Sequence, residues 1–269
     1  MTTPTSPIVS VAWLEDHAGD ADLVIADVRS LDAYRTGHIP GAIHADLAPL
    51  RLVSSTPEAI AAWTARLQSV IDTLGLGPAK TVVFYEDISG TMSAYGVWLL
   101  DAAGFGNGTM LDGGVQAWRT SGHPIAPDDV RPQATSMPVQ VDQSRLATSG
   151  QILDSLNGAE TAGDHSLRLV DTRGAGEYGM GSIPGAVNID WTQNLGADGR
   201  FKPIAQLSEM YADAGLDPSA PVASYCAGGF RAANTYVVLK ALGYADARNY
   251  APSWGEWGQR PDTPIERHR

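Results

Sequence analysis

The chain has 269 residues, of which 43% are hydrophobic and 18% are charged, so it holds enough apolar material for two ordinary domains or one large one. Its 18 basic residues against 30 acidic ones give a net charge of −12, which lends no electrostatic support to binding of nucleic acid or an anionic membrane. The single cysteine excludes an intrachain disulfide and every multi-cysteine metal site.

The N-terminal residues show no sign of a targeting segment. Residues 1–7 lack the basic stretch and apolar run of a signal peptide, and no apolar stretch of about 18 residues occurs in the sequence. Together with the lone cysteine, these features predict a soluble cytoplasmic protein with neither a membrane nor a nucleic-acid partner. The acidic surface favours solubility, and the sequence leaves the oligomeric state open.

Short buried strands and helices are predicted to alternate along the first half of the chain. Residues 23–26 and 81–85 are apolar runs bounded by polar residues, a pattern typical of buried parallel strands. Between Pro57 and Leu74 apolar residues recur at spacings of three and four, and Gly75 follows. This segment is therefore predicted to be an amphipathic helix.

A proline-rich segment divides the chain. Residues 119–142 contain four prolines and show neither helical nor strand periodicity. Closely spaced prolines favour extended chain, so residues 123–142 are predicted to link a domain at 1–122 to a domain at 143–269. An ordered loop belonging to either domain is an equally good interpretation, because loops of this length are uncommon in compact folds.

The second half of the chain repeats motifs of the first half. Asp27-Val-Arg and the Gly-His-Ile-Pro-Gly-Ala of residues 37–42 match Asp171-Thr-Arg and the Gly-Ser-Ile-Pro-Gly-Ala of residues 181–186 at one constant spacing. A period this long is too large for a solenoid unit and suits an independent domain. The repeat therefore predicts two domains of the same architecture.

The predicted elements recur in the second copy as well. Apolar runs at residues 167–170 and 221–225 correspond to the two strands of the first copy, and a helical pattern ends before Gly215. The sequence therefore predicts an α/β protein with tandem domains, each built on a small parallel sheet flanked by helices.

The stretch around the lone cysteine is the most informative part of the chain. Cys226 lies between the end of a predicted strand and a helix predicted to begin near Phe230, where open α/β sheets place their ligands. Gly228 and Gly229 allow a tight turn with inward-pointing N–H groups, and the helix dipole adds positive potential there. This arrangement predicts an anion site around the sulfur.

Arg231 can return its guanidinium to the same pocket, where it would favour the thiolate form of Cys226 and so a nucleophile. The alternative for Cys226 is a small buried hydrophobe, the ordinary role of a lone cysteine. Its position at a site-forming turn favours the nucleophile. A solvated arginine at a helix start is the less natural alternative for Arg231, because positive charge is unfavourable there unless an anion is present.

Both copies resemble rhodanese domains, over residues 23–118 and 167–257. The Asp-x-Arg motif with its downstream Gly-x-Ile-Pro-Gly-Ala is similar to the family's first signature in both copies. The Tyr-Cys-Ala-Gly-Gly-Phe-Arg of residues 225–231 is similar to its six-residue catalytic loop, and residues 111–114 with Trp118 resemble the segment near a domain's end. The resemblance implies a five-stranded parallel sheet in each domain and a two-domain sulfurtransferase.

The resemblance also implies a mechanism and one active site per chain. Glu86 occupies the cysteine position of the first copy, so the first domain resembles the family's catalytically silent halves. In the second domain Cys226 would take a sulfur atom from thiosulfate as a persulfide and pass it to cyanide or a thiol. No metal or cofactor is expected. The residues implied to bind substrate are Ala227, Gly228, Gly229, Phe230 and Arg231, with Arg173 as a further candidate.

Several alternatives remain open from the sequence. Arg173 could instead pair with a carboxylate such as Asp190 to brace the fold, since the first copy repeats both residues. A 3-mercaptopyruvate sulfurtransferase is the alternative to a thiosulfate enzyme. Glu177 stands where some members have an arginine for the substrate anion, which disfavours a carboxylated donor, whereas the neutral Ala227 and Gly228 replace basic residues of many thiosulfate-using members.

Two other classes of protein compete with a sulfurtransferase. A rhodanese-like phosphatase or arsenate reductase has five residues between cysteine and arginine, whereas four separate Cys226 from Arg231. The shorter loop favours a compact sulfur-bearing site. A non-catalytic binding module is disfavoured by Cys226 for the second domain but not for the first. The second copy has Ala251-Pro252 where the first is matched with Gly113-Gly114, a change that the sequence does not explain.

Overall fold

A computed structural model describes residues 4–158 and 166–268. The described residues form two compact units. Of these residues, 4–50, 63–142 and 195–201 make up the first unit, and 51–62, 143–158, 166–194 and 202–268 make up the second. The first residues of the N-terminal segment used to predict the absence of a leader, and the last residue of the predicted second domain, lie outside the described residues.

The first unit is built on a parallel sheet with the strand order β1-β5-β4-β2-β3. Its strands are β1 (Ile8–Val9), β2 (Leu23–Asp27), β3 (Ile43–His44), β4 (Thr81–Tyr85) and β5 (Gly108–Leu111). The helices in this part of the chain are α1 (Val11–His17), α2 (Leu31–Thr36), α3 (Pro57–Leu74), α4 (Thr91–Ala102) and α5 (Gly114–Thr120). All residues of β4 are buried, as expected for a central parallel strand covered on both faces.

The second unit has a four-stranded parallel sheet with the order β7-β6-β8-β9, so among the described residues the five-stranded sheet expected for each domain is found in the first unit but not in the second. Its strands are β6 (Arg168–Asp171), β7 (Val187–Asn188), β8 (Val222–Tyr225) and β9 (Ala247–Asn249). Its helices are α6 (Ser149–Leu156), α7 (Ala175–Met180), α8 (Ile204–Asp213), α9 (Phe230–Ala241) and α10 (Ser253–Trp257). Beyond β9, Leu146 forms a single parallel bridge with Asn249 at the edge where β1 lies in the first unit.

The predicted fold class is confirmed, because both units are parallel sheets flanked by helices. The amphipathic helix predicted from Pro57 to Leu74 has those bounds in the structure and buries Trp63, Leu67 and Ile71 on one face. Each predicted strand begins or ends within one residue of its observed bounds. Apolar runs in the strands and periodic apolar residues in the helix are therefore enough to locate these elements in the sequence.

The proline-rich segment packs against the first unit. Ala126 pairs with His38 in an antiparallel bridge, and the Trp118 indole N–H donates to the Pro124 carbonyl at 2.8 Å. The Thr135 amide donates to the Asp72 carbonyl at 2.8 Å. These bonds favour the ordered-loop interpretation of residues 123–142 over a free tether.

Two short segments lie in the unit opposite to the one in which the predicted boundaries place them: residues 195–201 belong to the first unit and residues 51–62 to the second. A buried carboxylate, Glu256, accepts hydrogen bonds from the 51–62 segment. No local pattern in the sequence signals such a long-range contact. Within the described ranges, no helix is long and apolar enough to span a membrane.

Candidate active site

Cys226 follows the last residue of β8 and precedes α9, as the sequence predicts. Its side chain is 2% exposed. The Gly228 and Gly229 amides both donate to its Sγ atom, at 3.4 Å and 3.1 Å. Two N–H groups aimed at one sulfur, at the N-terminus of a helix of 12 residues, form a cradle that stabilises negative charge on that sulfur.

The backbone of this loop is held by residues at the start of α10. The Trp254 and Gly255 amides donate to the carbonyls of Cys226 and Ala227, both at 3.0 Å. The Cys226 amide in turn donates to the Ser253 hydroxyl at 3.0 Å. Because these groups are satisfied within the second unit, the loop keeps the N–H groups of the cradle directed at the sulfur.

Gly229 is required by the loop for steric reasons. Its φ of +91° lies in the left-handed region, and a Cβ atom at this position would lie 2.5 Å from the Ala251 carbonyl oxygen. The Asn249 side-chain amide donates to the Gly229 carbonyl at 3.1 Å. The predicted tight turn therefore requires glycine at position 229. At position 228 a Cβ atom would instead meet the flexible side chain of Arg51.

Ser253 is a site residue that the sequence analysis missed. Its φ of +57° is the single positive value at a non-glycine residue within the described ranges. Its hydroxyl accepts from the Cys226 amide, donates to the Tyr250 carbonyl at 2.7 Å, and lies 4.0 Å from the Cys226 sulfur. A serine with a left-handed backbone conformation beside the sulfur is a candidate for a role in the site.

The repeat alignment near Ser253 was wrong by one residue. Gly114 has a φ of +56°, which makes it the counterpart of Ser253. The amide of Val115 donates to the Glu86 carbonyl at 2.8 Å, just as that of Trp254 donates to Cys226. The second copy therefore has Pro252-Ser253, and not Ala251-Pro252, in place of the two glycines. The correct register would have exposed a serine at a position that favours glycine.

Arg231 lies in the first turn of α9 and forms a bidentate ion pair with Glu177. The Nη1 and Nη2 atoms donate to the two carboxylate oxygens at 2.6 Å and 3.0 Å. Hydrogen bonding to Glu177 is the main cause that raises the pKa of Arg231, and the adjacent Cys226 sulfur acts in the same direction. The same pair lowers the pKa of Glu177. Arg231 therefore faces the sulfur with its charge largely matched by a carboxylate.

Arg173 is engaged in a structural pair. It donates to both Asp171 carboxylate oxygens, at distances down to 2.5 Å, and to the Gly181 carbonyl at 2.7 Å. Asp190, the carboxylate suggested from the sequence as a partner of Arg173, is not that partner. Its Oδ1 atom accepts from the amide and the hydroxyl of Thr192 instead. The buried guanidinium lies 4.3 Å from the centroid of the Trp254 ring, which favours a bracing role for Arg173.

The remaining sequence candidates line the same loop. The side chain of Ala227 is exposed, and Phe230 is a half-buried residue that begins α9. The structure thus brings Cys226, Gly228, Gly229 and Arg231 together. Within the described residues, no group of three or more His, Cys, Asp or Glu side chains is arranged to hold a metal ion.

Glu86 is the structural counterpart of Cys226 in the first unit. Its carboxylate Oε1 accepts from the Met92 and Ser93 amides at 2.7 Å and 2.9 Å, in the position of an anion at the N-terminus of α4. Burial raises the pKa of this carboxyl despite those hydrogen bonds. The Glu86 carboxylate therefore accepts from backbone N–H groups at the start of the helix that follows it, as the Cys226 sulfur accepts from those of Gly228 and Gly229 in the second unit.

The raised pKa of Glu86 predicts a pH-dependent stability difference. The contribution of Glu86 to the free energy of unfolding is fully present below the pKa that this carboxyl has in the unfolded chain. It decreases as the pH rises through the raised pKa of the same carboxyl in the folded protein. A Glu86→Gln variant stays neutral, so its stability relative to the parent is expected to rise between about pH 5 and pH 8. Urea unfolding at both pH values measures this difference. The exposed Glu209→Gln change is the control, and an equal pH dependence for both variants would contradict the prediction.

Comparison with known proteins agrees with this geometry. Residues 10–121 and 153–260 each match the rhodanese-like domain family. The chain is 31% identical to a thiosulfate sulfurtransferase of Pseudomonas aeruginosa and 30% identical to one of Azotobacter vinelandii, in both cases over 96% of each chain. It is 32% identical to a thiosulfate sulfurtransferase of Corynebacterium glutamicum, over 96% of this chain and 90% of the other.

Solved structures show the same fold. The anaerobic ergothioneine biosynthesis enzyme from Chlorobium limicola, in complex with trimethyl histidine, superposes with a TM-score of 0.82 at 21% identity. The match covers 98% of this chain and 70% of that enzyme. The two family matches together span most of the chain, and they agree with the repeat and with the cysteine loop. The chain therefore belongs to the rhodanese family of sulfurtransferases and carries two rhodanese-like domains.

Proposed function

We propose that this protein is a thiosulfate sulfurtransferase that works through a persulfide on Cys226. The observation that carries the proposal is the pair of N–H groups, from Gly228 and Gly229, directed at the sulfur. Relatives named thiosulfate sulfurtransferase, at 30–32% identity over nearly the whole chain, support thiosulfate as the donor. A reaction that needs a free thiol suits a reducing compartment such as the cytoplasm.

The proposed reaction has two steps. The Cys226 thiolate attacks the outer sulfur of thiosulfate, the S–S bond of the donor breaks, and sulfite leaves with the bonding electron pair. Cyanide or a thiolate then attacks the terminal sulfur of the persulfide, and the Cys226 thiolate leaves with the electron pair of the second S–S bond. No external oxidant or reductant is required. The cradle stabilises the negative sulfur before and after each transfer.

The Glu177–Arg231 pair adjusts how strongly the site attracts an anionic donor. A Glu177→Gln change removes a negative charge and releases the Arg231 guanidinium from its bidentate partner. The KM for thiosulfate is expected to fall about threefold to tenfold, with a smaller change in kcat. Steady-state assays at several ionic strengths measure this effect, which should weaken as salt increases. An unchanged or higher KM would show that the pair does not oppose donor binding.

Mass spectrometry of thiosulfate-treated protein tests the proposed function directly. The parent protein is expected to gain the mass of one sulfur atom on Cys226 and to lose it on addition of cyanide, with release of thiocyanate. Parallel assays with thiosulfate and 3-mercaptopyruvate compare the two donors, and the relatives named thiosulfate sulfurtransferase favour thiosulfate. If thiosulfate never adds sulfur to Cys226, the proposal is wrong.

A further inference from the structure

The segment that begins at Arg51 belongs to the same compact unit as the cysteine loop. Glu256, on α10, holds it there. The Ser55 amide and hydroxyl donate to the two Glu256 carboxylate oxygens at 2.7 Å and 2.8 Å, and the Ser54 hydroxyl donates at 2.9 Å. The Ser149 amide donates to the Ser55 hydroxyl at 3.0 Å. A buried, multiply bonded carboxylate therefore fixes the chain next to Arg51.

This anchoring places the Arg51 guanidinium against the cysteine loop. Its Nη2 and Nε atoms lie 2.7 Å and 2.9 Å from the position that a Cβ atom on Gly228 would occupy. The Nη2 atom also lies 3.5 Å from the corresponding position on Gly255. Gly228 is one of the two residues whose amides donate to the Cys226 sulfur. The guanidinium thus covers the loop position next to the cradle.

The Arg51 guanidinium differs from the two other arginines near the loop in having no bonded acceptor. Arg231 is paired with Glu177 and Arg173 with Asp171. In the part of the chain that the structure describes, Arg51 forms no hydrogen bond or ion pair, and the residue is exposed. An exposed guanidinium with free N–H groups beside an anion cradle is suited to a further anionic group.

We propose that Arg51 binds the sulfonate end of thiosulfate while Cys226 attacks the outer sulfur. This proposal rests on the proposed function and assigns the residue that recognises the anion. The cysteine loop contains no basic residue between Cys226 and Arg231. Arg51 therefore supplies positive charge beside Gly228 from another segment of the chain. The planar guanidinium can donate two parallel N–H groups to two sulfonate oxygens. The same contact stabilises sulfite as it leaves.

Alkylation of Cys226 tests the positive charge independently of turnover. Cys226 is the sole cysteine, so every alkylation event reports on this sulfur. The second-order rate constants with iodoacetate, an anion, and iodoacetamide, a neutral reagent, are measured at one pH, and their ratio cancels changes in thiol reactivity. Arg51→Ala is expected to lower the iodoacetate-to-iodoacetamide ratio about threefold to tenfold. Arg51→Lys should keep most of the ratio because it keeps the charge.

Steady-state kinetics with thiosulfate test the sulfonate contact. Arg51→Ala is expected to lower kcat/KM about 10-fold to 100-fold, mainly through KM, as for loss of a charge-assisted hydrogen bond. Arg51→Lys should recover part of this loss, because an ammonium group lacks the two-pronged geometry. The exposed Arg66→Ala on α3 is the matched control, since it removes the same charge elsewhere and should leave both readouts unchanged.

The two proposals fail in different ways. If thiosulfate adds sulfur to Cys226 in the parent but Arg51→Ala matches Arg66→Ala in KM and in the alkylation ratio, the role of Arg51 is wrong and the function stands. If thiosulfate adds no sulfur to the parent, the proposed function is wrong and Arg51 is no thiosulfate ligand. A fall in the alkylation ratio would then show only that Arg51 attracts anions to Cys226.

Discussion

Replacement of Cys226 by serine is expected to abolish sulfur transfer, with a loss of more than about 1,000-fold in kcat. A serine hydroxyl is not ionised at neutral pH and its oxygen cannot carry the transferred sulfur as a persulfide. The amides of Gly228 and Gly229 can still donate to the smaller oxygen, so the loop keeps partners for both N–H groups. The measurements are thiocyanate formation from thiosulfate and cyanide, and the mass of the donor-treated protein.

The variant must also be shown to fold. Because serine differs from cysteine by one atom, the free energy of unfolding is expected to change by less than about 2 kcal/mol. Circular dichroism and urea unfolding of the parent and the Cys226→Ser variant provide this control. A folded serine variant that retains turnover would remove Cys226 from the mechanism, and a sulfur gain that persists in that variant would place the carrier elsewhere.

The parts of this structure that depend on neighbours along the chain were accessible from the sequence. The apolar run that ends at Tyr225, the glycines that follow, and the helix from Phe230 are local features, and together they place Cys226 at the end of a strand. The repeat then extended the same plan to the first unit, including Glu86 at the position of the sulfur. Local propensity and burial pattern agree throughout these segments.

Contacts that depend on tertiary structure were not accessible in the same way. The Arg173–Asp171 pair is an exception, because it joins two residues of one Asp-x-Arg motif and was a local partner that the sequence analysis passed over for Asp190. Glu177 was recognised as the replacement of an arginine, but not as the partner of Arg231. Arg51 gave no signal, because it reaches Gly228 from a segment far away in the sequence.

Replacement of Gly229 by alanine is expected to remove most activity and to destabilise the protein. A left-handed φ costs an L-residue about 1 to 2 kcal/mol, and the new Cβ would approach the Ala251 backbone, so the total loss is about 2 to 4 kcal/mol. To relieve this contact the loop must move, and the amide of Gly229 then no longer faces the Cys226 sulfur at 3.1 Å. We expect a loss of at least about 100-fold in kcat/KM for thiosulfate.

The Gly243→Ala variant separates loop displacement from backbone strain. Gly243 has a similar φ, +85°, and no atom lies within 4 Å of a Cβ atom built on it. It follows the opposite end of α9, so its variant should lose about 1 to 2 kcal/mol of stability and keep the activity of the parent. Urea unfolding and thiosulfate kinetics of both variants decide the matter. Equal stabilities and equal activities for the two variants would show that the Gly229 cradle does not depend on close approach to Ala251.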